Sequence, residues 1–126
     1  MLNYSLINTF KIHLIITLLI NIHFSSQSQN CKNLNSEFSS YESALKKIKS
    51  TNFVLIDSCD TSKSSWILKT EFYSCDKKYG YLLLSTRKKT YIHNKVPIDI
   101  WIRYKETESF GRFYNKKIKE KYKLII

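Results

Sequence analysis

Residues 66–97 read WILKTEFYSCDKKYGYLLLSTRKKTYIHNKVP, and this stretch decides the fold. From Trp66 to Tyr73 the chain alternates in part, with Trp66, Leu68, Thr70 and Phe72 against Ile67, Lys69, Glu71 and Tyr73. A period of two is the signature of a strand. Asp76–Lys77–Lys78 makes a turn, and Tyr79 to Ser85 is nearly all apolar, as expected of a central strand. Thr86 to Lys89 turns the chain again, Thr90 to His93 forms a third, shorter strand, and Asn94–Lys95 leads to Val96–Pro97. The segment predicts a β-meander.

Upstream, Phe38, Tyr41, Ala44, Leu45 and Ile48 recur at helical spacing. Ser39 with Glu42 three residues on makes a capping box, so a helix is expected over 40–49. Phe53 to Ile56 is a short β-prone run. The stretch 57–65 (DSCDTSKSS) is turn-forming, because Asp and Ser side chains compete for backbone hydrogen bonds. Downstream, Pro97 suits a helix start, where its missing N–H costs nothing, and Asp99 complements the helix dipole. That helix is expected to reach about Thr107. Ser109 caps a second one beginning near Phe110, where Gly111 permits close backbone contact. The fold class is therefore α+β: an N-terminal helix, a small antiparallel sheet of three to four strands, and a C-terminal helical pair. The expected core is Trp66, Leu68, Leu82, Leu84, Ile100, Trp101, Phe113 and Ile118.

Residues 1–28 read as a cleaved secretory signal peptide. Met1 to Phe24 contains no Asp or Glu, Lys11 supplies positive charge, and the run LIITLLI over 14–20 is an apolar core too short to span a bilayer. Ser26 and Ser28 suit cleavage after Ser28; the alternative is an uncleaved anchor. Residues 29–37 read as a polar linker and 38–126 as one small domain. The expected location is periplasmic or secreted, with no stable membrane span after cleavage.

Cleavage removes Lys11 and leaves 98 residues carrying 20 basic and 10 acidic side chains, a net charge of +10. Such a surface attracts anionic partners. Nearly all of the charge is Lys, since Arg occurs only at 87, 103 and 112, so a compositional origin stands beside a selected one. Export permits disulfides among Cys31, Cys59 and Cys75. In a simple hairpin Cys59 and Cys75 fall at opposite ends, beyond the roughly 7 Å that a bridge allows. The expectation is no structural disulfide. No CxxC or Cys/His spacing points to zinc, and no cofactor is expected.

Several features in this order resemble the KTSC domain, a small family named for the C-terminus of some lysyl-tRNA synthetases. They are Ser64–Ser65–Trp66–Ile67 opening the meander, Tyr91, Val96–Pro97 followed by Ile100–Trp101, and Ser109–Phe110–Gly111–Arg112–Phe113–Tyr114–Asn115 with Ile118 and Tyr122 beyond. The resemblance covers about residues 64–123. It implies a meander followed by helices and a lean towards nucleic acid. One departure is at 91–93, where the family's Tyr-x-Tyr reads Tyr91–Ile92–His93.

Three functions follow as expectations. The first is a non-catalytic binding module whose basic aromatic face gathers Arg87, Lys88, Lys89, Tyr91, His93, Asn115, Lys116 and Lys117. Lysines would neutralise phosphates and exposed aromatics would stack bases. The ligand would be a glycan, a lipid headgroup, nucleic acid or an acidic protein. Export makes intracellular RNA an unfavourable partner. The second is a structural or partner-binding envelope protein that uses Thr90–His93 as a sheet edge. The third is a small hydrolase with His93 as general base, oriented by Asp99 or Glu106, with Ser109 or a water attacking. His93 is the one histidine left after cleavage.

Overall fold

The computed structural model describes residues 29–34 and 37–124; the signal peptide expected over 1–28 lies outside them. Four strands form an antiparallel meander in chain order: β3 (Leu55–Cys59), β4 (Ile67–Ser74), β5 (Tyr79–Thr86) and β6 (Thr90–Pro97). Ahead of them come a two-residue strand β1 (Gln29–Asn30), a 3-10 turn (Cys31–Asn33), the helix α1 (Tyr41–Ser50) and the short strand β2 (Thr51–Asn52), which pairs parallel with β1. Helices α2 (Ile98–Lys105) and α3 (Phe110–Lys117) follow the sheet. The architecture is α+β, with one helix before a four-stranded antiparallel sheet and two after it.

Both faces of the sheet are covered, which is why Leu82, Leu83 and Leu84 are all fully buried. Phe72, Leu82, Leu84 and Val96 face α2 and α3 and pack on Ile100, Trp101, Tyr104, Phe110, Tyr114 and Ile118. Tyr73, Leu83 and Ile92 face the other way, onto Phe38, Ala44 and Ile48 of the α1 side. Within the first layer Phe72 and Trp101 stack at 5.4 Å, and Trp101 stacks on Tyr104 at 5.8 Å. Each such pair contributes about 1 kcal/mol beyond area burial. The Tyr104 hydroxyl, deep in this layer, is satisfied by Thr70 Oγ1 at 2.8 Å.

Two bulges redirect the strands. Between Ile67 and Lys69 one residue of β4 is unmatched on β5, so Ile67 and Thr70 both turn inward and the alternation expected from Trp66 breaks. Trp66 and Leu68, expected in the core, are 38% and 58% exposed, and Ile67 takes the buried place. The second bulge is on β6, where Asn94 and Lys95, the latter with a φ of 54°, oppose Tyr81 alone between the Gly80–Val96 and Leu82–His93 pairs. It lets β6 run on to Pro97 instead of ending at His93, and it brings Val96 to the same buried layer as Leu82.

Local capping differs by one residue from the expectation for α1. Ser40, not Ser39, is the N-cap, and its Oγ accepts from Ser43 N at 3.1 Å. At α3 the expected Ser109 cap is present, its Oγ accepting from Arg112 N. The turn-like run at 57–65 divides. Asp57 to Cys59 belongs to β3, where the Asp57 carboxylate accepts from Trp101 Nε1 at 2.9 Å and from Lys105 Nζ at 2.7 Å. The donors available on α2 outweigh the turn preference of Asp57 in isolation.

The cysteine expectation is corrected. Cys31 and Cys75 form a disulfide, with Cα atoms 5.7 Å apart, and Cys59 is the free thiol. Pairing of β1 with β2 carries residues 29–33 to the end of the sheet where β4 turns into β5, a placement no local pattern reveals. The stretch read as a linker is therefore fastened at its start, with Cys31 buried.

The β6 edge is also not open in the way expected. Ile92 N donates to the Tyr41 hydroxyl of α1. The C-terminal segment crosses this edge, with Tyr122 packed on the α2–α3 side and Leu124 on the α1 side. Thr90–His93 lies in the last strand, β6, and its edge is partly covered, by Tyr41 at Ile92 and by the C-terminal segment.

Candidate functional site

At the end of the sheet away from the disulfide, the β5–β6 turn stands beside the start of β4. Ile67 pairs with Thr86 and Ser85 with Thr90, so Trp66 lies next to Arg87–Lys88–Lys89. The turn is internally fastened. Thr86 Oγ1 accepts from Lys88 N at 3.2 Å and Lys89 N at 3.3 Å, and donates to Lys89 O at 3.0 Å. With the backbone engaged there, the side chains of Arg87 and Lys88 carry the charge outward.

Between this turn and Trp66 is a cleft of about 370 Å³ lined by Ser65, Trp66, Thr86, Arg87, Lys88 and Tyr91. Trp66 is held by α3: a Cβ at Gly111 would meet its Nε1 at 2.7 Å, and the Tyr114 ring sits edge-on at 5.8 Å. Tyr91 is half-buried against Tyr114, with the Lys89 ammonium 4.6 Å from its ring centre. The lining joins an exposed indole, hydroxyls and two cations, and none of its six residues is acidic.

The expected site residues separate into four groups. Arg87, Lys88 and Tyr91 meet in the cleft, with Lys89 over Tyr91. Lys116 and Lys117 line a different depression of about 270 Å³ on the α3 side, with Ser109, Arg112 and Phe113. Asn115 is exposed on α3 and lines neither hollow.

His93 is not a surface residue. It is 5% exposed, with Nε2 3.0 Å from the Tyr114 hydroxyl and Nδ1 2.7 Å from the Tyr122 carbonyl. A carbonyl only accepts, so Nδ1 carries the proton and Nε2 accepts from Tyr114. The neutral ring is thus fully satisfied, and desolvation holds its pKa below the ordinary 6.5. Its neighbours are these two tyrosines rather than Asp99, Glu106 or Ser109, and Ser109 is engaged as the α3 cap. The arrangement fastens the C-terminal segment to β6.

Trp66, Ser65 and Thr86 are the site residues that sequence reasoning missed. Ideal alternation hid Trp66 by assigning it to the core, and the bulge that turns it outward has no local signature. Among the described residues no three His, Cys, Asp or Glu side chains gather as a metal site, and no helix is long and apolar enough to cross a membrane. No protein-family model, curated protein or solved structure matches the chain.

Proposed function

We propose that this protein is an exported KTSC-like domain that binds an anionic ligand, without catalysis, in the cleft between Trp66 and the β5–β6 turn. One observation carries the reading: an exposed indole and two cationic side chains line a single concave surface that holds no acidic residue. Scattered lysines would give a diffuse positive field; here Arg87 and Lys88 stand beside an aromatic surface able to orient what the field attracts. The order of meander, Val96–Pro97, α2 and Ser109-capped α3 supports the KTSC-like part of the reading.

The test is a salt titration with heparin and with a single-stranded oligonucleotide as general polyanions. Affinity is expected to fall linearly on a log–log plot against salt. Replacing Arg87 and Lys88 together by Gln is expected to weaken binding about tenfold and flatten the slope. Replacing Lys116 and Lys117 by Gln is expected to change it less. Equal losses from both pairs would mean diffuse charge, and no binding at low salt would overturn the reading.

A further inference from the structure

Resting on that reading of the cleft, we propose that the ligand is an acidic sugar chain, one ring of which stacks on Trp66 while its carboxylate or sulfate is held by Arg87 and Lys88. Trp66 is the one open aromatic surface in the cleft. Its indole is backed by Gly111 and Tyr114 and remains 38% exposed. The Tyr91 ring is half-buried and already engaged by Lys89 at 4.6 Å and by Tyr114 at 6.4 Å, which leaves Trp66 the more exposed ring. A single platform takes a single ring. Sites for single-stranded nucleic acid set out several aromatics so that successive bases stack.

The remaining lining points the same way. Ser65 and Tyr91 bring hydroxyls, which match a hydroxyl-rich ring as both donors and acceptors, while the Thr86 hydroxyl is engaged within the turn. A pyranose also presents an apolar C–H face that suits an indole, leaving its acidic substituent at the rim with the two cations. At about 370 Å³ the cleft is near the small end for ligand sites, sized for a ring or two of a longer chain.

The experiment titrates the purified protein with an oligogalacturonate, a sulfated oligosaccharide, the methyl ester of the oligogalacturonate, a single-stranded oligodeoxynucleotide of matched charge, and phosphatidylglycerol vesicles. Calorimetry gives the affinities and tryptophan fluorescence reports on the cleft, Trp66 being exposed while Trp101 is buried. At least one acidic sugar chain is expected to bind tenfold or more tightly than the methyl ester, the oligonucleotide and the vesicles. Trp66→Ala is expected to weaken that binding about tenfold. Because Trp66 packs on α3, Arg87→Gln with Lys88→Gln supplies an independent surface variant, expected to lose about tenfold with the fold intact. Equal or tighter binding of the oligonucleotide or the vesicles would overturn the sugar assignment and leave the anionic cleft standing. Sugar binding undiminished in the Arg87→Gln, Lys88→Gln variant would overturn both, as would no binding of any anion at low salt.

Discussion

The indole of Trp66 rests against the backbone of Gly111, so closely that a Cβ there would come within 2.7 Å of Nε1. This contact joins the start of β4 to α3 and sets the wall of the cleft. Gly111 lies one residue inside α3, where alanine would ordinarily be favoured by about 1 kcal/mol. Here the added methyl must displace a ring. Gly111→Ala is expected to destabilise the fold by about 1–3 kcal/mol in urea denaturation. A change in near-ultraviolet circular dichroism should accompany it as Trp66 moves. A variant as stable as the parent would show that the indole yields freely.

His93 gives the fold a dependence on mild acid. Its folded pKa lies below the ordinary 6.5, so the unfolded chain takes up a proton first as pH falls. The stability that the neutral ring contributes is complete above about 6.5, declines as pH falls towards the folded value, and levels off beneath it. His93→Gln is expected to cost about 1–3 kcal/mol at neutral pH, through the Tyr114 and Tyr122 hydrogen bonds, and to flatten the profile between pH 7 and 5. Urea midpoints across that range measure both effects.

The Cys31–Cys75 bridge closes a loop with a sequence separation of 44. Loop-closure entropy sets its contribution at about 4 kcal/mol, with about 2 kcal/mol a reasonable lower figure. Reduction, or replacement of both residues by serine, is expected to lower stability by that amount. Under denaturing, non-reducing conditions one thiol, that of Cys59, is expected to react with a thiol reagent. Three reactive thiols would contradict the pairing.

Tyr41 occupies the outer side of β6 through its contact with Ile92 N. Tyr41→Phe removes that acceptor while keeping the ring on the α1 side. The Ile92 amide is expected to exchange with solvent about tenfold faster in the variant, with little change at Leu83 and Leu84 in the middle of the sheet. Equal exchange at Ile92 would mean that the C-terminal segment alone protects the edge.

Much of this fold was legible because its signals are local. The Ser109 cap, the Pro97 boundary and the apolar run at Tyr79–Ser85 each act within a few residues, and each appears where expected. The misses need the third dimension. A bulge after Ile67 costs one residue of register and turns Trp66 from core to surface. Cys31 meets Cys75 only because β1 docks beside β2. His93 is buried by Tyr114 and by a segment 29 residues away in sequence. The basic cluster at Arg87–Lys89 was readable as charge, but its aromatic partner was not, since that partnership depends on the bulge and on Gly111 together.

The disulfide and the cleft stand at opposite poles of the sheet. Leu55, Ser74 and Gly80 share the end where Cys75 bridges to Cys31, whereas Ile67 and Thr86 share the other, and the eight residues of β4 between them span roughly 25 Å. Gln29 thus sits at the pole farthest from Trp66. A tag or solid support joined at that end would leave the cleft facing away from it, open to a ligand in solution.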